Sequence, residues 1–230
     1  MSRRWVMALL VGASAQACGG DPTGAGTDRA SGVALLNAMQ PGTSVELTLD
    51  GEVFSIRAGA PARQVLTSAG PHRIQVRSVG SESTTSLAFS LSAGERRTFV
   101  VTPDEQAAAG VHAFSDSATT GVVPQPDAVK IRPVHAASGA EPMKLWLRRV
   151  GAPMDSSAGL LPVFRFEEGR AHAYAVRSPA TYVITATSLS SGAVLAELEA
   201  PLAAGEVWTA VLTRATGGVS EFQIRLIPEL

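Results

Sequence analysis

The sequence predicts an all-β protein made of two tandem antiparallel β-sandwiches, and three observations carry the prediction. Apolar residues alternate with polar ones at period two in Val45-Glu46-Leu47-Thr48-Leu49 and in Met143-Lys144-Leu145-Trp146-Leu147-Arg148, which places one face of each strand on a core. Turn pairs such as Asp50-Gly51, Ala93-Gly94, Ala204-Gly205 and Gly217-Gly218 punctuate the short runs. Finally, Leu91-Ser92-Ala93-Gly94-Glu95-Arg96-Arg97-Thr98 returns 111 residues later as Leu202-Ala203-Ala204-Gly205-Glu206-Val207-Trp208-Thr209. Such self-similarity reads as duplication of one unit.

Length and composition agree. A chain of 230 residues suits two compact units that each bury a core. Aromatic residues make up 5% and charged residues 17%, the balance of an apolar-cored protein rather than a disordered chain. Without Arg3 and Arg4 the net charge falls from -1 to about -3, and no basic block could neutralise a row of phosphates, so nucleic acid is not an expected partner.

From the N-terminus, residues 1–17 read as a signal peptide. Arg3 and Arg4 form a short positive region, Trp5 to Ala15 is apolar, and small residues precede Cys18. Eleven apolar residues span about half of a ~30 Å hydrocarbon core, too little for a permanent transmembrane helix. Cys18 is the chain's one cysteine, so an internal disulfide is impossible. The Ala15-Gln16-Ala17-Cys18 segment resembles a bacterial lipobox, which implies a diacylated Cys18 as the first mature residue and attachment to a membrane through that lipid. It departs from the usual pattern at Ala15, where leucine is common, and at Gln16. The alternative is a secretory leader cut after Ala15 or Ala17 that leaves a free thiol. Ser2-Arg3-Arg4-Trp5-Val6-Met7 also resembles a twin-arginine export signal, and Gly19-Gly20 after the cysteine implies outer-membrane sorting in a host that has one. Residues 18–31 then form a Gly-, Thr- and Asp-rich tether with a reach of roughly 20 Å.

The first repeat spans 32–118, a Pro- and Gly-containing linker 119–127, and the second repeat 128–230. Strands are expected at 52–57, 72–78, 86–91, 97–102 and 111–114, and in the second repeat at 181–187, 194–198, 207–213 and 221–226. Val33 to Ala38 aligns with Ile131 to Ala136, and an insertion near Gly151 to Ala158 lengthens the second copy.

Ile131-Arg132-Pro133-Val134-His135-Ala136, the alternating Met143 to Leu147, Ala173 to Tyr182 and Ala204-Gly205-Glu206-Val207-Trp208-Thr209 together resemble the bacterial and archaeal domain-of-unknown-function family 4397. The first copy is fainter, with Asn37 in place of His135. The resemblance implies immunoglobulin-like sandwiches on an exported or surface protein, and it supplies no catalytic residues.

No residue pattern points to chemistry. His72, His112, His135 and His172 stand apart from one another, without ligand spacing, so no metal or other cofactor is expected. His135 reads as an imidazole bonded to backbone near a strand end. No Gly-x-Ser-x-Gly elbow occurs, and the adjacent Glu167-Glu168 would point to opposite strand faces. The expectation is a non-enzymatic, lipid-anchored envelope protein, its sandwiches forming a short rod that meets an envelope protein. A carbohydrate-binding or adhesive module is the alternative, and a hydrolase with a cryptic site comes third. Trp146 and Trp208 stand where the first copy has Thr48 and Arg97. They are the candidate binding surface for a glycan or protein, set against the expectation that they pack on the first copy, the linker or the Gly151 loop.

Overall fold

The computed structural model describes residues 31–103, 109–115, 124–137, 139–165, 169–170, 173–215 and 221–229. The strands run in two series. The first is β1 (Ser31–Asn37), β2 (Ser44–Leu49), β3 (Glu52–Arg57), β4 (Arg63–Thr67), β5 (Gly70–Ser78), β6 (Thr84–Leu91), β7 (Arg96–Thr102) and β8 (Gly110–Ser115). The second is β9 (Val129–His135), β10 (Met143–Arg149), β11 (Gly159–Phe164), β12 (Gly169–Arg170), β13 (Ala175–Arg177), β14 (Ala180–Ser188), β15 (Val194–Leu202), β16 (Val207–Arg214) and β17 (Phe222–Pro228). One 3-10 turn, Ser156–Ala158, is the sole helical element among the described residues.

The halves repeat one strand order. The first forms the sheets β3-β2-β5-β6 and β8-β7-β1-β4, and the second forms β11-β10-β14-β15 and β17-β16-β9-β13. In both, the first strand lies parallel to the seventh, and Val33 faces Arg97 as Ile131 faces Trp208. The layering is that of β-sandwiches, but the first strand sits between the fourth and the seventh, unlike the immunoglobulin constant order in which it pairs with the second.

The expected alternation is present: Val45, Leu47 and Leu49 are buried, as are Met143, Leu145 and Leu147. They join one core per half, centred on Leu35, Ile74 and Phe99 in the first and on Ile131, Ile184 and Phe164 in the second. Asp50 and Gly51, at φ 49° and 93°, close the β2–β3 hairpin, the positive-φ pair that a two-residue turn requires. The second copy opens that turn into residues 150–158, where the insertion was expected. The segments 63–67, 159–164 and 175–177 carried no strand expectation. β4 and β13 are short edge strands, half exposed, so their sequences lack a clean apolar alternation.

The repeated Ala-Gly-Glu motif is a turn that ties itself shut. Glu95 N–H donates to Ser92 O at 3.0 Å, Gly94 takes φ 74°, and Ser92 N–H donates back to Glu95 Oε2 at 2.8 Å. Ala203, Gly205 and Glu206 repeat the arrangement, with Ala203 N–H donating to Glu206 Oε2 at 2.7 Å. Glycine at the third position supplies the positive φ of a type II turn. The Ser92 N–H, against burial and with help from Arg97, holds the Glu95 carboxyl below its ordinary value.

A third apolar cluster joins the halves. Every residue of β1 and of β9 is buried, because each strand serves its own core on one face and the other half on the opposite face. Ala34, Leu36, Val100 and Phe114 meet Val134, Ala136, Val211 and Ile227, so the sandwiches lie sheet against sheet rather than end to end. Within this layer lies Arg132. Its Nε donates to Glu229 Oε1 at 2.7 Å and to Thr209 Oγ1 at 3.0 Å, and a terminal nitrogen donates to Thr98 Oγ1 at 2.9 Å. Thr209 Oγ1 also donates to Glu229 Oε1. Thr98 and Thr209 are the same residue of the repeated motif, so the duplicated hydroxyls grip one guanidinium from both sides.

Each half also clasps the last strand of the other. The connection 165–174, between β11 and β13 of the second half, contributes β12, which pairs in parallel with β8. Its counterpart in the first half, 58–62, reaches β17 through Ala62 N–H, which donates to Pro228 O at 2.7 Å.

The ion pair of Arg132 and Glu229, both of the second half, lies in the layer between the halves with side chains only 2% and 0% exposed. Arg132→Met leaves the Glu229 carboxylate buried and uncompensated, so stability falls by about 3–5 kcal/mol in urea unfolding, whereas Arg132→Met with Glu229→Leu recovers most of it. Glu95 adds an acid limb. A carboxyl whose folded pKa is depressed stabilises the fold above the ordinary glutamate range, and this is lost as pH falls through the depressed value. Urea midpoints taken from about pH 6 down to about pH 2 are expected to fall less steeply in Glu95→Gln than in the parent.

Candidate functional site

The two expected tryptophans sit apart. On β10, Lys144, Trp146 and Arg148 alternate with the buried residues and occupy the outer face. Trp146 Nε1–H donates to Thr187 Oγ1 at 3.0 Å, and Lys144 Nζ lies 3.9 Å from the ring centroid. One side of that ring is therefore already covered by the protein's own cation. Trp208 instead packs, partly buried, against the second core. Its Nε1–H donates to Glu206 Oε2 at 2.9 Å, as the guanidinium of its counterpart Arg97 donates to Glu95. Cys18 lies outside the described residues.

Two buried polar positions are matched between the halves. Asn37 Oδ1 accepts Met39 N–H at 2.9 Å while its Nδ2 donates to Ile56 O at 2.8 Å, and His135 Nδ1 accepts Ala137 N–H at 3.3 Å. Both side chains hold the chain two residues on, the backbone role expected of His135. His72 and Tyr182 match likewise, each bonding a carbonyl four residues earlier, Ser68 O at 2.9 Å and Ser178 O at 2.8 Å. His72 also contacts the Asp50 carboxylate. Burial raises the Asp50 carboxyl, but the Arg73 N–H and His72 outweigh it and hold the pKa below the ordinary aspartate value. His172 lies outside the described residues.

Trp208 lines an apolar groove of about 640 Å³. One wall is Leu198, Ala200 and Pro201 on β15, and Asn37 and Gly59 approach from the first half. The other wall is Ile224, Arg225, Leu226, Ile227 and Pro228 of β17. Successive side chains of a strand point to opposite faces, so five consecutive lining residues place the groove along the strand's free edge. β17 ends its sheet, whereas the equivalent β8 is covered by β12.

Arg225 is the charged residue of this lining. Its terminal nitrogen donates to Gln223 Oε1 at 3.0 Å, but its Nε is buried with no hydrogen-bond partner. Burial pulls its guanidinium below the ordinary arginine value. A second hollow of about 420 Å³ gathers Arg148, Arg149, Arg177 and Asp155, with Arg148 already bonded to Ala152 O and Glu197. Among the described residues, no three His, Cys, Asp or Glu side chains gather as a metal site, and no helix is long and apolar enough to cross a membrane.

Sequence reasoning singled out Trp208 but missed the groove. Its walls are ordinary strand residues, made into a site by the ending of one sheet at β17. No protein-family model matches the chain, and no curated protein does.

Trp208→Ala removes an aromatic side chain that covers the second core. It is expected to lower stability by about 2–3 kcal/mol in urea unfolding, less than the ~3–5 of a fully buried ring, while Trp146→Ala on the outer face costs about 1 kcal/mol or less.

Proposed function

We propose that this chain is an exported, lipid-anchored protein of the bacterial envelope, in which two tandem sandwich domains, immunoglobulin-like in layering though not in strand order, perform a non-catalytic interaction role. The observation that carries the anchoring is the N-terminal segment: two arginines, an apolar stretch of eleven residues, and small residues leading directly to the sole cysteine, Cys18. A lone thiol in an oxidising compartment is a liability that acylation removes. The match in strand order, register and turn chemistry between the halves supports duplication of one unit, and with it the resemblance to domain-of-unknown-function family 4397. The interaction role is supported by the groove beside β17, whose lining offers apolar walls, open backbone and one guanidinium but no nucleophile paired with a base.

The test is metabolic labelling with a palmitate analogue in a bacterial host. The parent chain is expected to take up label, to accumulate as an unprocessed precursor under globomycin, and to sediment with membranes, whereas Cys18→Ser does none of these. Equal labelling of Cys18→Ser and parent overturns the anchoring.

A further inference from the structure

The unequal clasps leave the outer edge of β17 uncovered, whereas β12 covers its counterpart β8. In the second half, ten residues (165–174) separate β11 from β13, and β12 within them covers the edge of β8. In the first half only five residues (58–62) make that connection. They meet β17 at its end, through Ala62 and Pro228, and the groove lies along the remainder, with Gly59 in its wall.

The backbone of that edge is oriented for pairing. Glu229 N–H donates inward to Val207 O, while Pro228 O points outward to Ala62. Backbone groups along a strand alternate in direction, so the N–H and C=O groups of Ile224 and Leu226 also point outward, into the groove. An unpaired strand edge is a template for another strand. Its two faces differ in character. Leu226 and Ile224 lie on the side of Trp208 and Leu198, toward the second core, and Arg225 lies on the side of Ile227, toward the layer between the halves. A strand bound here would therefore direct alternate side chains to an apolar wall and to a guanidinium whose Nε has no acceptor.

We propose that the outer edge of β17 binds an extended segment of a partner polypeptide as an added strand, apolar on the face toward Trp208 and carrying an acidic side chain opposite Arg225. The inference rests on the interaction role proposed above. It assigns to β17 in trans the covering that β12 gives β8 in cis, with charge complementarity fixing which face of the incoming strand is acidic.

The probe is an acetylated and amidated seven-residue peptide in which valine alternates with threonine and one central glutamate. It is added to the full mature chain carrying Trp146→Phe, which leaves Trp208 as the reporter. Saturable change in Trp208 emission is expected, together with slowed hydrogen exchange at the Ile224 and Leu226 amides. Replacing the peptide's glutamate by lysine is expected to weaken binding at least about tenfold, and N-methylation of alternate peptide amides to abolish it. Arg225→Gln, with an unchanged unfolding midpoint, is expected to erase the preference for glutamate over lysine. Undiminished binding of the N-methylated peptide would mean that the groove takes an apolar ligand without strand pairing, and would overturn the proposal. So would unprotected Ile224 and Leu226 amides at saturating peptide, or a concentration-dependent dimer of the free chain that protects those amides and assigns the edge to a second copy. Any of these failures, with palmitate labelling of Cys18 intact, sinks the strand-binding inference and leaves the envelope reading standing.

Discussion

Burial of one sheet face of each half against the other is the constraint on which the rest of this structure depends. β1 and β9 are buried on both faces because both faces are interior, and the layer between them holds a guanidinium, a carboxylate and two threonine hydroxyls. Burying a charge in such a layer costs several kcal/mol unless it is paired and hydrogen-bonded. Arg132 meets that condition, since Glu229 neutralises it while Thr98 and Thr209 each supply an acceptor. An ion pair of this kind is not needed for cohesion, which the surrounding alanine, leucine and valine side chains provide. Its contact across the layer, the bond from Arg132 to Thr98, bears on how one sheet sits on the other, because a slide would strip a buried guanidinium nitrogen of its acceptor.

The same packing explains why the outer edge of β17 is uncovered while that of its counterpart β8 is not. With the sheets face to face, the connection β3–β4 or β11–β13 of either half lies near the last strand of the other, so its length decides whether that strand is covered. The longer connection carries β12 onto β8, and the shorter one meets only the end of β17. The groove thus arises from a difference in loop length, and its chemistry is that of exposed backbone flanked by apolar walls and Arg225.

Much of this fold was legible in the sequence because one-sided burial of a strand leaves a simple mark. Val45, Leu47 and Leu49 alternate with polar residues because only one face of β2 is buried, and the Asp50-Gly51 pair named its own turn. The repeated Ala-Gly-Glu was visible as a pattern, while its cause, a glutamate bonding the backbone three residues earlier, needs coordinates. Short edge strands such as β13 were missed because half-exposed segments carry little alternation. Arg132 was legible only as a polar residue in an apolar run. Its partner Glu229 lies 97 residues away, a separation that no local periodicity encodes. The groove was the least legible feature, since a strand's position at the end of a sheet is a property of topology and leaves no trace in side-chain type.

The asymmetry at Arg132 has a consequence for how such a pair of sandwiches can exist at all. Position 132 corresponds to Ala34 in the first half. Were two separate, identical subunits to associate through this face, a two-fold axis would bring the residues beside it up against their own equivalents, and an arginine here, between the matched Thr98 and Thr209, would confront another arginine. Covalent linkage lifts that restriction. With different residues at matched positions of the two halves, a single cation can sit near the pseudo-axis with a single anion as its mate, so the central contact becomes one that no homodimer built on this face could reproduce.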